Sequence, residues 1–298
     1  MNEVRVTSGM MVDGVLSDLR GTWARLSRCE RQLASGKRIS SPSDDPVGVV
    51  RALGLRSNLN QVERYLNNVD DGRNWIEMTD TALAQVGDIL QRARELAVST
   101  AGSVPDSTLR AAEAEVSRLF EQLAEVGNTS YAGRYIFAGQ ETLTKPFTVD
   151  TASSPPSYTY GGDSGSILRE VGPGVSMQVN RPGDEALVPA FDAIRDYLNT
   201  LRGGAGAKSP EAVLEGLDGA IDHVLGQRAH VGADGHRLEL ARARLQDMSF
   251  QLKSLLSETE DADMAEVITH LTTEEAAYRA ALEAGARIIQ PSLLDFLR

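Results

Sequence analysis

Three histidines, His223, His230 and His236, stand close together in the chain. The first two are seven apart and would share a helix face, a spacing that can aim two imidazoles at one metal. Gly232 and Gly235 are expected to break that helix before His236, and no cysteine or carboxylate completes a ligand set. Cys29 is the only cysteine, so no intrachain disulfide can form. A nucleophilic thiolate needs a nearby base or a lowered pKa. No histidine lies in its segment, and Arg25, Arg28 and Arg31 around it suit helix pairing better. Asp44 and Asp45 could be a general acid–base pair, but directly before Pro46 they read as a helix cap. Gly161-Gly162-Asp163-Ser164-Gly165 does not lead from a strand into a helix, as a phosphate cradle would. The acidic run Glu258, Glu260, Asp261, Asp263 and Glu266 reads first as a solvated helix face. Its complementarity to the basic N-terminal helix gives it a second reading, as a pairing surface. No nucleophile–base–orienter set and no cofactor fingerprint emerges. The sequence therefore reads as a non-enzyme, with no catalytic, cofactor-binding or metal residue to assign.

What remains is periodicity. Six of the eleven prolines fall between Pro146 and Pro189, and the long proline-free stretches elsewhere permit long helices. Val12, Leu16, Leu19, Trp23, Leu26 and Leu33 alternate in steps of four and three, with Glu30 at one expected position, which is a heptad seam. A second seam runs Leu55, Leu59, Val62, Leu66, Val69, is expected to shift phase near Gly72, and resumes at Ile76, Thr79, Leu83, Val86, Leu90, Ala93 and Ala97. A third runs from Leu109 to Val126. Ala241, Leu245, Met248, Leu252 and Leu255 form another. After a further phase change it resumes as Met264, Ile268, Leu271, Tyr278, Leu282 and Ile289. Ser35-Gly36 can end the first helix and Ser43-Asp44-Asp45-Pro46 can start the second.

Residues 141–189 differ. Phe147-Thr-Val, Tyr158-Thr-Tyr, Ile167-Leu and Val175-Ser-Met-Gln-Val are short β-type runs separated by glycine and proline turns. Phe191, Ile194, Tyr197, Leu198 and Leu201 then begin a returning helix. The fold class expected is mainly α, with long antiparallel helices forming a coiled-coil-like rod and a small β-rich domain inserted mid-chain. The expected division is 1–42 with 259–298 as a terminal helical assembly domain, 43–140 with 190–258 as a helical rod, and 141–189 as an outward-facing β insertion with its own turns, separable from the rod.

Composition agrees. The 298 residues are 41% hydrophobic but only 5% aromatic, which suits helices packed along thin seams. A formal charge of −12 excludes general nucleic-acid binding. Residues 1–40 are net basic and 257–298 net acidic, so the two ends are complementary. No stretch is long and apolar enough for membrane insertion. The start of the chain does not read as a cleaved signal peptide.

The plan resembles the flagellin superfamily, and so do particular runs. Gln32-Leu-Ala-Ser-Gly-Lys-Arg-Ile39 followed by Pro42-Ser-Asp-Asp-Pro46 is similar to the family's N-terminal signature. Arg134-Tyr-Ile-Phe-Ala-Gly139, followed by Thr142 and Pro146-Phe147, and Gln290-Pro-Ser-Leu-Leu-Asp-Phe-Leu297 resemble the members found between hook and filament. The resemblance implies a structural subunit of the bacterial flagellum that joins hook to filament by polymerising through its terminal helices. It also implies an extracellular place on the flagellum, reached through the flagellar type III export apparatus. The partners it implies are further copies of itself, the other hook–filament junction protein, flagellin and a cytoplasmic export chaperone. A short flagellin forming the filament itself is the alternative, and a cytoplasmic coiled-coil adaptor a more distant one.

The assembly residues expected are Val12, Leu16, Leu19, Trp23, Leu26 and Leu33 at one end. At the other they are Leu271, Tyr278, Leu282, Ile289, Leu293, Leu294, Phe296 and Leu297. Stripes this narrow do not hold lone helices, so ordering of the ends is expected to accompany their packing against neighbouring subunits.

Overall fold

A computed structural model describes residues 8–295 except 103 and 154, with side chains from 9 to 287 apart from those two. Long helices dominate it: α1 (Ser8–Ser35), α2 (Pro46–Thr100), α3 (Asp106–Gly127), α5 (Val188–Leu201), α6 (Pro210–Glu260) and α7 (Met264–Asp295). Between α3 and α5 lie β1 (Ser130–Tyr131), β2 (Arg134–Tyr135), β3 (Phe147–Asp150), β4 (Ser157–Tyr160), β5 (Leu168–Gly172), β6 (Val175–Gln178) and the single turn α4 (Gly183–Ala186). The strands form three separate antiparallel pairs, β1–β2, β3–β4 and β5–β6. The chain divides into two compact units, residues 1–61 with 249–298, and residues 62–248.

The 62–248 unit is built on the seam of α2. Val62, Val69, Ile76, Leu83, Leu90 and Ala97 recur every seven residues and are all buried, as are Thr79, Val86 and Ala93. The column from Val62 to Ala97 passes Gly72 unbroken, while the second buried column moves from Leu59 to Tyr65, Gly72 and Thr79, a change of phase just before Gly72. Gly72 serves close packing: a Cβ there would lie 2.9 Å from Val179 Cγ1 and 3.5 Å from Leu238 Cδ1. Helix α6 runs antiparallel beside α2. Its Val213, Leu217, Ala220, Val224, Val231, Leu238 and Leu245 are buried. It also continues unbroken through Gly232 and Gly235, where the sequence reading expected a break. Two helix-interior glycines cost about 1 kcal/mol each, which a helix with this much buried seam tolerates. Arg242 pairs with Asp70 at 2.8 Å, Arg228 with Asp80 at 2.9 Å, and Arg94 with Asp218. Such exposed pairs contribute little stability but penalise a slipped register.

The hairpins are sewn into this unit. Ala132 and Gly133 both take positive φ in the tight turn between β1 and β2. Ile136, Phe137 and Ala138 behind it are fully buried. The Phe137 carbonyl accepts hydrogen bonds from Gly183 N–H at 2.8 Å and from Tyr160 O–H at 2.9 Å. The Asn128 side chain holds both main-chain groups of Phe147, donating to its O at 2.8 Å and accepting from its N–H at 2.9 Å. The Phe147 ring stacks on Phe191 of α5 at 4.5 Å, and Tyr158 stacks on the same ring at 4.9 Å. Residues 141–189 therefore share an aromatic core with α3 and α5, where the sequence reading expected a separable insertion.

The other unit contains α1 and α7 packed against each other. Their antiparallel sense follows from three points: Val15 and Leu19 beside Gly285, Arg25 paired with Glu274 at 2.9 Å, and Lys37 paired with Asp261 at 2.8 Å. The two ends of the chain thus find one another within a single subunit. No helix among the described residues is long and apolar enough to cross a membrane.

Candidate assembly surface

The connectors on which the terminal helices turn are fixed first. Helix α1 ends at Ser35 because Gly36 takes φ +68 and its N–H closes on Gln32 O at 2.8 Å. Helix α2 starts at Pro46 with Asp45 capping Gly48 N–H at 2.9 Å. Asp44 is equally structural: its carboxylate accepts from Ser41 N–H at 2.8 Å, which holds its pKa below the ordinary value. The motif around Asp44 and Asp45 is thus a pair of local caps. The α6–α7 break at 261–263 is capped by Asp263, which accepts from Ala265 N–H at 2.9 Å.

The two connectors are joined to each other. Arg38 N–H donates to Glu260 O at 2.7 Å and Ala262 N–H to Gly36 O at 2.9 Å. The Glu260 side chain is only 5% exposed, and each of its oxygens meets a cation: Lys37 Nζ at 2.7 Å and Arg56 at 2.6 Å. Asp261 also accepts from Lys37 Nζ, which raises the Lys37 pKa and lowers that of Asp261. A carboxylate this buried needs such partners. The acidic run at the end of α6 is therefore a clamp on the connectors as well as a solvated face.

Along α1 the half-buried positions include Val12, Val15, Leu19, Thr22, Leu26, Cys29 and Leu33, with Gly21, Ser27 and Gln32 beside them. Along α7 they are Leu271, Glu274, Glu275, Tyr278 and Ala281, with Val267 and Gly285 buried. Four expected residues of α1 lie on this seam: Val12, Leu19, Leu26 and Leu33. Two do not. Leu16 and Trp23 fall one position past it, and Trp23 is 60% exposed. Of the expected α7 residues, Leu271 and Tyr278 lie on the seam and Leu282 is 46% exposed. The side chains of Ile289, Leu293 and Leu294, and all of Phe296 and Leu297, lie outside the described residues.

A Cβ on Gly285 would lie 3.1 Å from Val15 Cγ1, so the helices approach closely there. A valine fits at that point and an indole would not; Thr22 and Cys29 follow in the same column. Gly285→Leu is accordingly expected to destabilise the α1–α7 pair by about 1–3 kcal/mol through overpacking, despite removing a helix-interior glycine. Thermal unfolding followed by circular dichroism reads this, and an unchanged or raised midpoint would count against the close approach.

The column just past the seam holds Leu16, Trp23 and Glu30 on α1 and Ile268, Glu275 and Leu282 on α7. In an antiparallel pair of right-handed helices these two columns fall on the same side. The opposite side carries Met11, Asp18, Arg25 and Gln32 on α1 and His270, Ala277 and Ala284 on α7. The pair thus has one flank with large apolar side chains and one that is mainly polar or small, and among the described residues nothing covers the apolar strip.

Among the described residues no group of three histidine, cysteine or carboxylate side chains is placed to hold a metal. His223 bonds to the Glu185 carbonyl at 2.7 Å instead.

The pattern described as the bacterial flagellin N-terminal helical region matches residues 7–142, and that of the bacterial flagellin C-terminal helical region matches 214–297. Flagellar hook-associated protein 3 of Escherichia coli K12 is 25% identical over 94% of this chain and 96% of that protein. The protein of the same name from Salmonella typhimurium LT2 is 24% identical over 99% of this chain and its own full length. Flagellin of Bacillus subtilis is 26% identical over 99% of this chain and all of that protein. A solved flagellar hook-associated protein from Vibrio parahaemolyticus superposes with a TM-score of 0.66, covering 73% of this chain and 100% of that structure at 19% identity. FlgL of Bacillus cereus superposes at 0.58, covering 68% and 99% at 22% identity. With both terminal helical regions matched across most of its length, the chain belongs to the bacterial flagellin family.

Proposed function

We propose that this chain is the structural subunit that joins the flagellar hook to the filament, polymerising through its terminal helices. The observation that carries the assembly part is the strip of Leu16, Trp23, Ile268 and Leu282 along one flank of the α1–α7 pair. A subunit that ended its life as a monomer would put charges there. The junction part is supported by near full-length similarity to hook-associated protein 3 from two species, and by the runs at 134–139 and 290–297.

On this reading residues 1–42 with 259–298 carry assembly. Residues 43–140 with 190–258 support them, and 141–189 face outward. Val12, Leu19, Leu26, Leu33, Leu271 and Tyr278 hold the terminal pair together, while Leu16, Trp23 and Leu282 meet the neighbouring subunit. Ile289, Leu293, Leu294, Phe296 and Leu297 continue that assembly segment. The neighbours are further copies of the chain, the other junction protein and flagellin. A cytoplasmic chaperone holds the C-terminal helix before export through the flagellar type III apparatus, and the working place is the outside of the cell. The role is mechanical and involves no catalysis.

Antibody labelling of isolated flagella decides between this and the flagellin alternative. A narrow band at the distal end of the hook is expected; label along the whole filament would make the chain a flagellin.

A further inference from the structure

At the start of α2 a ridge of apolar side chains faces away from the seam. Val47, Val50 and Leu53 are 79%, 72% and 58% exposed, whereas Ala52 and Leu59 of the same helix turn inward. A surface helix normally gives its outer face to charged residues. Here the only charges from Pro46 to Val62 are Arg51 and Arg56, with no carboxylate. A groove on one side of the ridge is lined by Arg38, Asp45, Val47, Arg51 and Glu258, with Arg38 paired to Asp45 at 3.6 Å. A groove on the other side is lined by Pro42, Val49, Leu53 and Arg56. Arg56 is committed to Glu260, but Arg51 forms no ion pair among the described residues.

The start of α7 has the opposite character. Met264 and Ile268 are 41% and 49% exposed. Between them Glu266 is exposed, and Asp263 precedes them. Both patches belong to the same compact unit, yet both stay exposed, so neither covers the other within one chain.

We propose that the α2 ridge is a second self-association surface that receives the start of α7 from another copy of this chain. Met264 and Ile268 of that copy pack on Val47 and Val50, and its acidic side chains meet Arg51. The proposal rests on the assembly reading; it shares Ile268 with the strip of Leu16, Trp23 and Leu282 and adds Val47, Val50 and Met264, which lie outside that strip. Apolar burial supplies the attraction, and Arg51, which forms no ion pair among the described residues, orients the contact by meeting Glu266 of the other copy. Because two different patches of one chain meet, the contact is heterologous and repeats head to tail, as a ring or helical assembly requires.

The test is made on flagella isolated from a strain lacking the protein and complemented with full-length variants. Val50→Asp would bury an unpaired charge at each contact and is expected to lower incorporation about tenfold or more. Its purified form should keep the wild-type unfolding midpoint, because the site is exposed. In a Cys29→Ser background, Val50→Cys combined with Met264→Cys is expected to give an oxidant-dependent ladder of this chain in the flagella. Each single cysteine should give at most dimers. Normal incorporation of Val50→Asp overturns the proposal. So does loss of incorporation without a ladder from the cysteine pair, which would mean the ridge meets a different protein. Trp23→Asp separates the two ideas: if it blocks incorporation while Val50→Asp does not, the terminal assembly reading stands and the ridge contact falls.

Discussion

Phe147→Ala is expected to destabilise the 62–248 unit by about 3–5 kcal/mol, the usual cost of emptying a fully buried aromatic site. The ring is 0% exposed and stacks on Phe191 at 4.5 Å, which itself meets Phe120 edge-on at 5.8 Å. The site cannot close up readily, because Asn128 pins the Phe147 main chain from both sides. Gly127 and Gly183 also leave no Cβ room against the ring, at 2.7 and 2.8 Å. Excising residues 145–188 with a Gly/Ser linker should be worse still. It removes Phe147, Tyr158, Tyr160, Met177, Val179 and Leu187 together, leaving Phe120 and Phe191 facing water. Urea unfolding followed by both far- and near-ultraviolet circular dichroism reads both variants. An excised chain that kept its helical signal and its near-ultraviolet spectrum would make the hairpins a detachable ornament, as turn chemistry alone suggested.

That contrast shows where sequence patterning reaches its limit. In α2 every seventh residue from Leu55 to Ala97 is apolar, and no stronger hydrophobic column competes with it. Periodicity therefore identifies the buried face directly. In α1 the column of Val12, Leu19, Leu26 and Leu33 is legible, but for the second column hydrophobicity favours Leu16 and Trp23 over the weaker Val15, Thr22 and Cys29 that sit in the seam. At Val15 the choice depends on a close approach to Gly285 from the far end of the chain. The same limit applies to the hairpins: alternation and turns mark Phe147 and Tyr158 as strand residues, but nothing local says that both rings stack on Phe191. Glu260 was legible only as one acid in a run. Its burial between Lys37 and Arg56 depends on two connectors meeting across more than two hundred residues. Local signals of fixed geometry fared better. Gly36 at a helix end and Asp45 before Pro46 each perform the role that their type and position imply.

Leu282→Asp should abolish incorporation into flagella while barely changing the unfolding of the free subunit. The two halves of that expectation come from different surfaces. In the free chain Leu282 is 46% exposed and lies one position past the seam, so an aspartate there stays hydrated and costs little. In the assembly its column, shared with Leu16 and Trp23, is proposed to be covered by a neighbour. There the same carboxylate would be stripped of water without a cation, a penalty of several kcal/mol repeated at each subunit contact. Val267→Asp supplies the opposite pattern. Val267 is 7% exposed within the seam, so the charge should lower the unfolding midpoint of the free subunit itself. Measuring both variants by thermal unfolding, and by motility after complementation of a strain lacking the protein, gives four numbers with a definite pattern. A large fall in the Leu282→Asp midpoint would place that residue inside the folded pair. Full motility of that variant would remove the apolar flank from the assembly surface.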